Sequence, residues 1–202
     1  MKCRKQEEKA HRVHWEGKYV EGYIPWDRGD VSAGFRLFLE EGVFPKDGRI
    51  LVPGCGHGYE VEALAAAGYD VTAIDIAPTP MARLQQRLQA RGLEARLVVD
   101  DLLAWQPEQP FDAIFEQTCL CAFPPVDWEA YERAAFRLLR SGGALLALFV
   151  QTHREDGPPW HCALKDMQTL FAPTRWEWRK SWPPQPMHTP PLEEIPWMLI
   201  RK

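Results

Sequence analysis

Short apolar runs alternate along the chain with segments that carry apolar residues on one face, and this alternation predicts the secondary structure. The predicted strands are Arg49–Val52, Asp70–Asp75, Ala95–Val99, Phe111–Phe115 and Ala144–Val150. The predicted helices are Glu60–Ala67, Pro78–Arg91 and Asp127–Leu139. The first two helices end at a glycine, a common helix stop signal. Strands separated by helices imply a parallel, doubly wound sheet.

The C-terminal part has a different pattern. Arg175–Trp182 and Pro196–Arg201 are predicted strands joined by a proline-rich connection, and an antiparallel hairpin is the simplest way to close them. The expected fold is α/β and Rossmann-like, with a mostly parallel, doubly wound sheet of seven strands in a three-layer α/β/α arrangement. We expect one domain over residues 1–202, with an N-terminal helical lid segment at 1–45 and a Rossmann-like core at 49–202.

Three glycines at alternate positions follow the first predicted strand. Gly54, Gly56 and Gly58 lie between an apolar run and a helix-like segment. Glycines at this place allow a tight strand-to-helix turn and let a ligand approach backbone that carries no Cβ. The second strand ends at Asp75, where a carboxylate can accept hydrogen bonds from a ribose diol. The two features together predict a nucleoside-binding site.

The spacing of the glycines indicates which nucleoside is bound. A dinucleotide site has G-x-G-x-x-G/A, but this chain has G-x-G-x-G, with Tyr59 at the place of the third small residue. No Lys-Ser/Thr pair follows, which excludes a phosphate-binding P-loop. The pattern with its later acid resembles the cofactor site of Rossmann-like S-adenosylmethionine methyltransferases. A tight turn without a ligand is the alternative that the glycines alone leave open.

Composition and charge fit a soluble enzyme domain. The chain has 202 residues, 46% of them hydrophobic, and a net charge of −4. It can therefore bury a hydrophobic core without disulfide bonds or metal ions to stabilise it. The acidic balance argues against nucleic-acid or anionic-membrane partners. The apolar run Ala144–Val150 is too short to span a bilayer, and Met1–Lys9 lacks the apolar region of a signal peptide. We expect a cytoplasmic protein that is a monomer.

The five cysteines give no disulfide framework, because their number is odd and their spacing irregular. Cys119 and Cys121 form C-x-C rather than C-x-x-C. His153, His161 and Cys162 lack a matching ligand group with zinc-like spacing. Small buried thiols and no bound metal are therefore expected.

Six short motifs occur in order over most of the chain. They are W-E-G-K-Y at Trp15–Tyr19, P-W-D-R-G at Pro25–Gly29, L-V-P-G-C-G at Leu51–Gly56, the segment Phe111–Pro125, S-G-G at Ser141–Gly143 and G-P-P-W at Gly157–Trp160. Together they resemble the thiopurine S-methyltransferase superfamily, which also holds the thiol and halide methyltransferases. The resemblance implies an S-adenosylmethionine-dependent methyltransferase whose product is S-adenosylhomocysteine.

The resemblance also implies that N-terminal aromatic residues fold over the methionine end of the cofactor. Trp15, Tyr19 and Trp26 occupy those positions, and a sulfonium cation is attracted to an aromatic face. After the third strand, Asp101 can accept a hydrogen bond from the adenine amine and Leu102 offers an apolar face, although a helix N-cap or a solvated turn is the alternative for this acid. The predicted cofactor-binding residues are Trp15, Tyr19, Trp26, Pro53, Gly54, Cys55, Gly56, Gly58, Asp75, Ile76, Asp101, Leu102, Glu116 and Gln117.

One departure from the family pattern concerns the substrate. The thiopurine branch usually has an Asp-Arg pair after the fourth strand, where this chain has Glu116 and Gln117. The missing arginine argues against a thiopurine and favours the thiol/halide branch. We expect a small-molecule acceptor with a thiol or another soft nucleophile, which includes thiopurine-like compounds, halides and selenium or tellurium compounds. Cys119, Arg154 and Trp160 are the candidates for its pocket.

Methyl transfer from a sulfonium is an in-line displacement that depends on approach geometry and exclusion of water. A thiol with a pKa of about 8.5 is partly ionised at neutral pH, so no strong base is required and no catalytic residue is assigned. His153, Arg154 and His161 could position or deprotonate an acceptor, or be surface residues. A non-catalytic cofactor-binding or regulatory protein remains an alternative, as does a nicotinamide-dependent oxidoreductase, against which Tyr59 argues.

Overall fold

The strands of the protein pair into one mixed sheet. The computed structural model describes residues 2–187 and 192–202, with side chains from residue 9 onward. The strands are Arg49–Pro53 (β1), Asp70–Asp75 (β2), Arg96–Val99 (β3), Phe111–Gln117 (β4), Leu139–Gln151 (β5), Trp176–Ser181 (β6), Gln185–Pro186 (β7) and Glu193–Arg201 (β8). Their order is β3-β2-β1-β4-β5-β8-β6, with β7 beside β8.

The direction of pairing confirms the expected fold class. Strands β1 to β5 pair in parallel, and β8 runs antiparallel to β5, β6 and β7. The C-terminal hairpin is therefore present, and β8 inserts between β5 and β6. Short β7 is an addition to the seven predicted strands. Residues 188–191 of the proline-rich connection lie outside the described residues.

Helices cover both faces of this sheet. They are Lys2–Glu21 (α1), Ala33–Glu40 (α2), Tyr59–Ala66 (α3), Pro78–Ala90 (α4), Trp128–Leu138 (α5) and Leu164–Leu170 (α6). Ile50 and Val52 of β1 pack with buried residues of α2, α3 and α4, whereas Leu51 packs with those of α5 and α6. Because successive side chains of a strand point to opposite faces, the layers are α/β/α as predicted.

Strand β5 differs from the sequence-based expectation. The residues of Ser141–Gly143 predict a turn before the strand, but β5 already begins at Leu139. Phe111 of β4 pairs with Leu139, and Ala113 pairs with Ala144. Five residues of β5 thus advance while β4 advances two, so Ser141–Gly143 forms an irregularity within the strand.

Helix α6 has no counterpart in the sequence-based prediction. Its seven residues are too few to show a helical period. Met167 and the following Phe171 are fully buried against the α5 side of the sheet. Tertiary packing therefore stabilises this short helix.

The segment before β1 is tied to the strand ends. Glu16 of α1 accepts hydrogen bonds from the Thr79 backbone N–H (3.0 Å) and from the Thr79 hydroxyl at the start of α4. The side chain of Ser32 caps α2 by accepting from the Phe35 N–H at 3.2 Å. Among the described residues, none of the helices combines the length and apolar character that crossing a bilayer requires.

Candidate functional site

A cleft opens at the carboxyl ends of β1 to β4 and is covered by the N-terminal segment. Its volume is about 580 Å³. Residues that leave these strands line one wall, and residues of α1 and of the loop before α2 line the other. Open α/β sheets bind ligands at this edge, near the point where the strand order reverses, which here lies between β1 and β4. The cleft is therefore the candidate functional site.

The structure brings most of the predicted site residues together in this cleft. Those that line it are Trp15, Tyr19, Trp26, Pro53, Gly54, Cys55, Gly56, Asp75, Ile76, Asp101, Leu102, Gln117, Cys119 and Arg154. Gly58, Glu116 and Trp160 are not part of the lining. The role of each residue in binding stays a prediction.

The glycine turn packs so closely against neighbouring side chains that a Cβ on it would collide with them. Gly54 and Gly56 have φ angles of 57° and 52°, which only glycine adopts without strain. A Cβ on Gly54 would lie 2.7 Å from the Cys119 sulfur, and one on Gly56 would lie 2.7 Å from the Tyr19 hydroxyl oxygen. The turn is thus a bare backbone surface between the sheet and the N-terminal segment.

Asp75 joins the glycine turn to the end of β2. Its Oδ2 accepts from the Gly56 N–H at 2.8 Å and its Oδ1 from the Ala77 N–H at 2.9 Å. Burial raises the pKa of Asp75, and these backbone hydrogen bonds lower it by less. Each carboxylate oxygen has two lone pairs, so both can accept a further hydrogen bond from a ligand in the cleft.

Three aromatic side chains of the N-terminal segment form a cluster over the turn. The Trp15 and Trp26 rings meet edge to face with centroids 5.4 Å apart, and Tyr19 meets Trp26 in the same way at 5.7 Å. The Tyr19 hydroxyl accepts from the Trp26 Nε1–H at 3.3 Å. Burial, with the nearby Asp75 charge, raises the pKa of Tyr19 far above its usual value. The cluster is therefore uncharged and presents aromatic faces and edges.

A hydrogen-bonded group that sequence reasoning missed holds this segment on the glycine turn. The Oδ2 of Asp27 lies 2.8 Å from Nδ1 of His57 and accepts from the Tyr59 hydroxyl at 3.4 Å. Burial raises the pKa of Asp27, but the hydrogen bonds from the Gly29 N–H and from His57 outweigh it and hold the pKa below its usual range. Asp27 belongs to the P-W-D motif, and His57 lies between two motif glycines, so both motifs contained the signal.

Residues that follow β3 and β4 also line the cleft on the side of the sheet. Asp101 lines the cleft, yet its Oδ1 also accepts from the Leu103 N–H at 2.9 Å. Residues 102–104 form a turn and no helix, so Asp101 closes this turn. A ligand role is compatible with that, because Oδ2 remains for a ligand. After β4, Thr118 lines the cleft with a φ of 55°, which is rare for a residue with a side chain.

The three predicted residues outside the lining have structural surroundings that explain their positions. Gly58 starts α3, and a Cβ there would lie 2.5 Å from the Leu84 side chain. The buried Glu116 carboxylate accepts from the Cys119 and Leu120 N–H groups at 3.1 and 2.8 Å. Trp160 packs over Gly157, where a Cβ would lie 2.6 Å from its ring.

Several apolar side chains line the end of the cleft that the strand order places away from Asp75. Phe123, Pro159, Met187 and Leu192 line it, and the Phe123 ring lies 5.5 Å from that of His11. These residues come from loops after β4 and β5 and from the proline-rich connection before β8. Sequence reasoning missed them because isolated apolar residues in loops carry no periodic signal.

The two histidines considered as residues that position or deprotonate an acceptor lie outside the lining of the cleft. His153 and His161 do not belong to the lining, and Nδ1 of His161 accepts from the N–H groups of Thr152 and His153 at 3.1 and 3.3 Å. Burial and the neighbouring His153 lower the pKa of His161. Across residues 2–187 and 192–202, no group of three or more metal-ligating side chains converges.

Comparisons with known proteins agree with the motifs. A family model described as thiopurine S-methyltransferase matches residues 10–185. Probable thiol methyltransferase 2 of Arabidopsis thaliana is 32% identical over 166 residues, which cover 81% of this chain and 73% of that protein. Thiocyanate methyltransferase 1 of Brassica oleracea is 28% identical over 162 residues, covering 79% of this chain and 71% of that protein.

A solved structure with the same fold is the 1,6-didemethyltoxoflavin-N1-methyltransferase of Burkholderia thailandensis, determined with bound S-adenosylhomocysteine. Its TM-score is 0.75 at 19% identity, with 98% of this chain and 89% of that chain covered. This likeness confirms the Rossmann-like fold. From the family model and the Arabidopsis relative it follows that the chain belongs to the thiopurine S-methyltransferase family and is an S-adenosylmethionine-dependent methyltransferase.

Proposed function

We propose that this enzyme methylates the sulfur of a small-molecule thiol. The observation that carries the proposal is a single cleft with two unlike ends, one polar at Asp75 and the glycine turn, the other apolar at Phe123, Met187 and Leu192. The polar end suits a nucleoside with an amino-acid tail, and the apolar end suits the carbon skeleton of an acceptor. Aromatic side chains of the N-terminal segment cover the region between them.

The residues present fit the family's cofactor. The two left-handed glycines leave the turn open to close contact, and the paired oxygens of Asp75 keep lone pairs for two ribose hydroxyls. A volume of about 580 Å³ lies within the range of about 300–1,000 Å³ typical of ligand pockets. Asp101 and Leu102 would hold the adenine. Bound there, S-adenosylmethionine would supply its sulfonium methyl group. The bond of this methyl to the acceptor sulfur would form as its bond to the cofactor sulfur breaks, S-adenosylhomocysteine would leave, and the thiol proton would pass to water.

The chain's own contribution is orientation and exclusion of water. Trp15, Tyr19 and Trp26 enclose the site, and each aromatic face toward a cation contributes about 0.5–2 kcal/mol, depending on desolvation. Fixed approach geometry accounts for up to about 7–11 kcal/mol of a two-reactant barrier. A partly ionised thiol needs no strong base. We therefore assign no general base and regard Cys119 and Arg154 as lining residues of the acceptor pocket, with Trp160 supporting its wall from behind.

Three observations favour a thiol over other acceptors. The relatives that cover most of this chain include proteins named for methyl transfer to thiols and to thiocyanate. Gln117 replaces the arginine usual in the thiopurine branch and binds Glu194 at 2.9 Å. The far end of the cleft carries apolar side chains, and its buried charges, Arg28 and Glu194, neutralise each other. A small thiol with an apolar skeleton matches all three.

Cofactor binding is tested by calorimetric titration with S-adenosylhomocysteine. Asp75→Ala removes the carboxylate at the end of β2 and is expected to weaken binding at least about tenfold, since hydrogen bonds to charged groups contribute about 1.5–3 kcal/mol. Asp70→Ala at the other, exposed end of the same strand is the matched control and should bind as the unaltered enzyme does. Equal affinities of the two variants would contradict the assignment of Asp75.

The acceptor is tested with a radiolabelled methyl donor and a panel of thiols, halides, selenols and thiopurines. We expect the highest kcat/KM for an apolar thiol. Tight binding of S-adenosylhomocysteine without turnover of any acceptor would instead favour a regulatory protein, and preference for a thiopurine would contradict the argument from Gln117.

The proposal includes a monomer in the cytoplasm without a nucleic-acid partner, in line with the net charge of −4. Sedimentation velocity at micromolar concentration tests the monomer. A concentration-dependent shift to twice the mass would contradict it.

A further inference from the structure

Arg28 places a buried cation in the wall of the cleft. Its side chain is only 9% exposed, and it reaches the fully buried carboxylate of Glu194 on β8. The two Nη groups donate to the two carboxylate oxygens, at 2.8 Å from Nη2 to Oε1 and 3.4 Å from Nη1 to Oε2. This fork-to-fork pairing uses the donors with which an arginine binds a ligand's carboxylate.

Other polar groups complete the neutralisation of this cation. Gln117 of β4 donates from Nε2 to Oε1 of Glu194 at 2.9 Å. A second carboxylate, Glu60, is close enough for the Arg28 charge to lower its pKa, although burial raises that pKa by more. Burial likewise raises the pKa of Glu116 to about 7, and the Glu194 charge adds to this rise. Arg28 thus has no uncompensated positive charge to offer a ligand.

This ion pair lies at the apolar end of the cleft. Glu194 pairs with Val150 at the carboxyl end of β5, and it is two residues from Leu192, which lines the cleft. The Met187 N–H donates to the Leu192 carbonyl at 3.0 Å, which holds these two apolar residues next to each other. An acceptor whose skeleton lies on Met187 and Leu192 therefore meets the paired Arg28, not a free one.

The other basic side chains of the cleft are less buried than Arg28, since His11 and Lys18 are only half-buried. The Lys18 amine sits 4.6 Å from the centre of the Tyr23 ring, which is itself 60% exposed. The Arg154 side chain is 53% exposed and faces Asp156 at 3.8 Å, and His14 is exposed. Charges at such positions are screened by water and salt and contribute little to ligand binding.

We propose that Glu194 is a specificity-determining residue, which occupies the fork of Arg28 and so restricts the acceptor to thiols whose skeleton carries no carboxylate. The proposal rests on the proposed function, because it concerns the acceptor of that same methyl transfer. A carboxylate brought to the apolar end would lose hydration without gaining a buried cationic partner. The enzyme then prefers an uncharged thiol to its acidic counterpart.

The test compares methyl 3-mercaptopropionate with 3-mercaptopropionate as acceptors. The two differ in an ester against a carboxylate and share the same reacting thiol. The fraction of folded enzyme therefore cancels in the ratio of their kcat/KM values. The nearby carboxylate makes the thiol of the acid less acidic than that of the ester, so each kcat/KM is expressed per thiolate, and this difference is the same for every variant. For the unaltered enzyme we expect the ester to exceed the acid at least about tenfold.

Glu194→Gln frees the Arg28 fork for the acid, and the ratio is expected to fall at least about tenfold. Glu193→Gln, at the exposed neighbouring position on β8, is the matched control and should leave the ratio unchanged. Leu192→Lys keeps the ion pair and adds a cation at the same end of the cleft, so it should lower the ratio even if Glu194→Gln fails to fold.

An unaltered enzyme that prefers the acid would overturn the proposal. So would a ratio that an active Glu194→Gln enzyme leaves unchanged. If Glu194→Gln does not fold, a ratio that Leu192→Lys leaves unchanged would overturn it. Failure of the underlying function has a different result, because neither thiol would then be methylated by any variant.

Discussion

Gly56→Ala is expected to lower the stability of the protein for two reasons, the strain of a left-handed backbone and the collision of the new Cβ with the N-terminal segment. Gly56 has a φ of 52°, and its new Cβ would lie 2.7 Å from the Tyr19 hydroxyl oxygen. Ordinary contact begins at 3.4 Å, so the Tyr19 ring would have to withdraw by about 0.7 Å. Tyr19 is buried and bonded to Trp26, so this withdrawal disturbs the whole aromatic cluster.

Gly68 provides the matched control. Its φ is 86°, and a Cβ there meets nothing within 4 Å. Both alanine variants therefore lose about 1–2 kcal/mol of folding free energy through the left-handed backbone. Only the variant at Gly56 adds overpacking, which typically costs about 1–3 kcal/mol more. We expect the same contrast in cofactor affinity, with a loss of about tenfold or more for Gly56→Ala and none for Gly68→Ala.

Urea unfolding measures the two stabilities, and calorimetric titration with S-adenosylhomocysteine measures the affinities. A third variant sharpens the test: Tyr19→Phe deletes the oxygen that the new Cβ would meet. In that background, Gly56→Ala should cost no more stability than Gly68→Ala does. The reasoning is refuted if Gly56→Ala and Gly68→Ala are equally stable in the original background and bind the cofactor product equally well.

Two further predictions concern buried or partly buried acids. Burial raises the pKa of Glu116 to about 7 from 4.5, with the Glu194 charge adding to the rise. The native state therefore holds this proton more tightly, and stability is lost as pH rises from about 4.5 to 7. Urea unfolding at pH 5 and pH 8 measures the effect of Glu116→Gln. Between these pH values the unfolding free energy of the variant should rise, relative to that of the unaltered protein, by up to about 3 kcal/mol. An equal difference at both pH values would contradict this. Asp27→Asn weakens the contacts to His57 and Tyr59, so limited trypsin digestion should cut the segment at residues 9–30 several times faster, whereas unchanged cleavage would speak against this tether.

Local patterns predicted the parallel part of the fold because each signal arises within a few residues. The predicted range of β2 equals the observed one, and α3 and α4 differ from their predicted ranges by a residue or so. Helix α6 was missed because its seven residues are too few to show a helical period. Its stability comes from the burial of Met167 and of Phe171 just after it. The S-G-G segment of β5 was misjudged because turn-forming residues can also remain within a strand when its partner fixes the register.

The sequence predicted the candidate site best where the positions of its residues depend on the local course of the backbone. The glycine turn and Asp75 were found through their spacing, which reflects a strand, a turn and a second strand end. Glu116 illustrates the limit of this reasoning. It leaves β4 next to Gln117, but successive side chains of a strand point to opposite faces, and its carboxylate caps the following turn instead of lining the cleft.

The sequence by itself determined the class of protein. Its glycine spacing, its acid after the second strand and its ordered motifs depend on residues close to one another in the chain, so they can be read without coordinates. Only the tertiary structure decided which distant residues meet. Asp27 reaches His57 across 30 positions, and Arg28 reaches Glu194 across 166. Such pairs leave no periodic or local signal, because their side chains are brought together by the packing of the N-terminal segment over the sheet. The residues that we propose to select the acceptor belong to this second group.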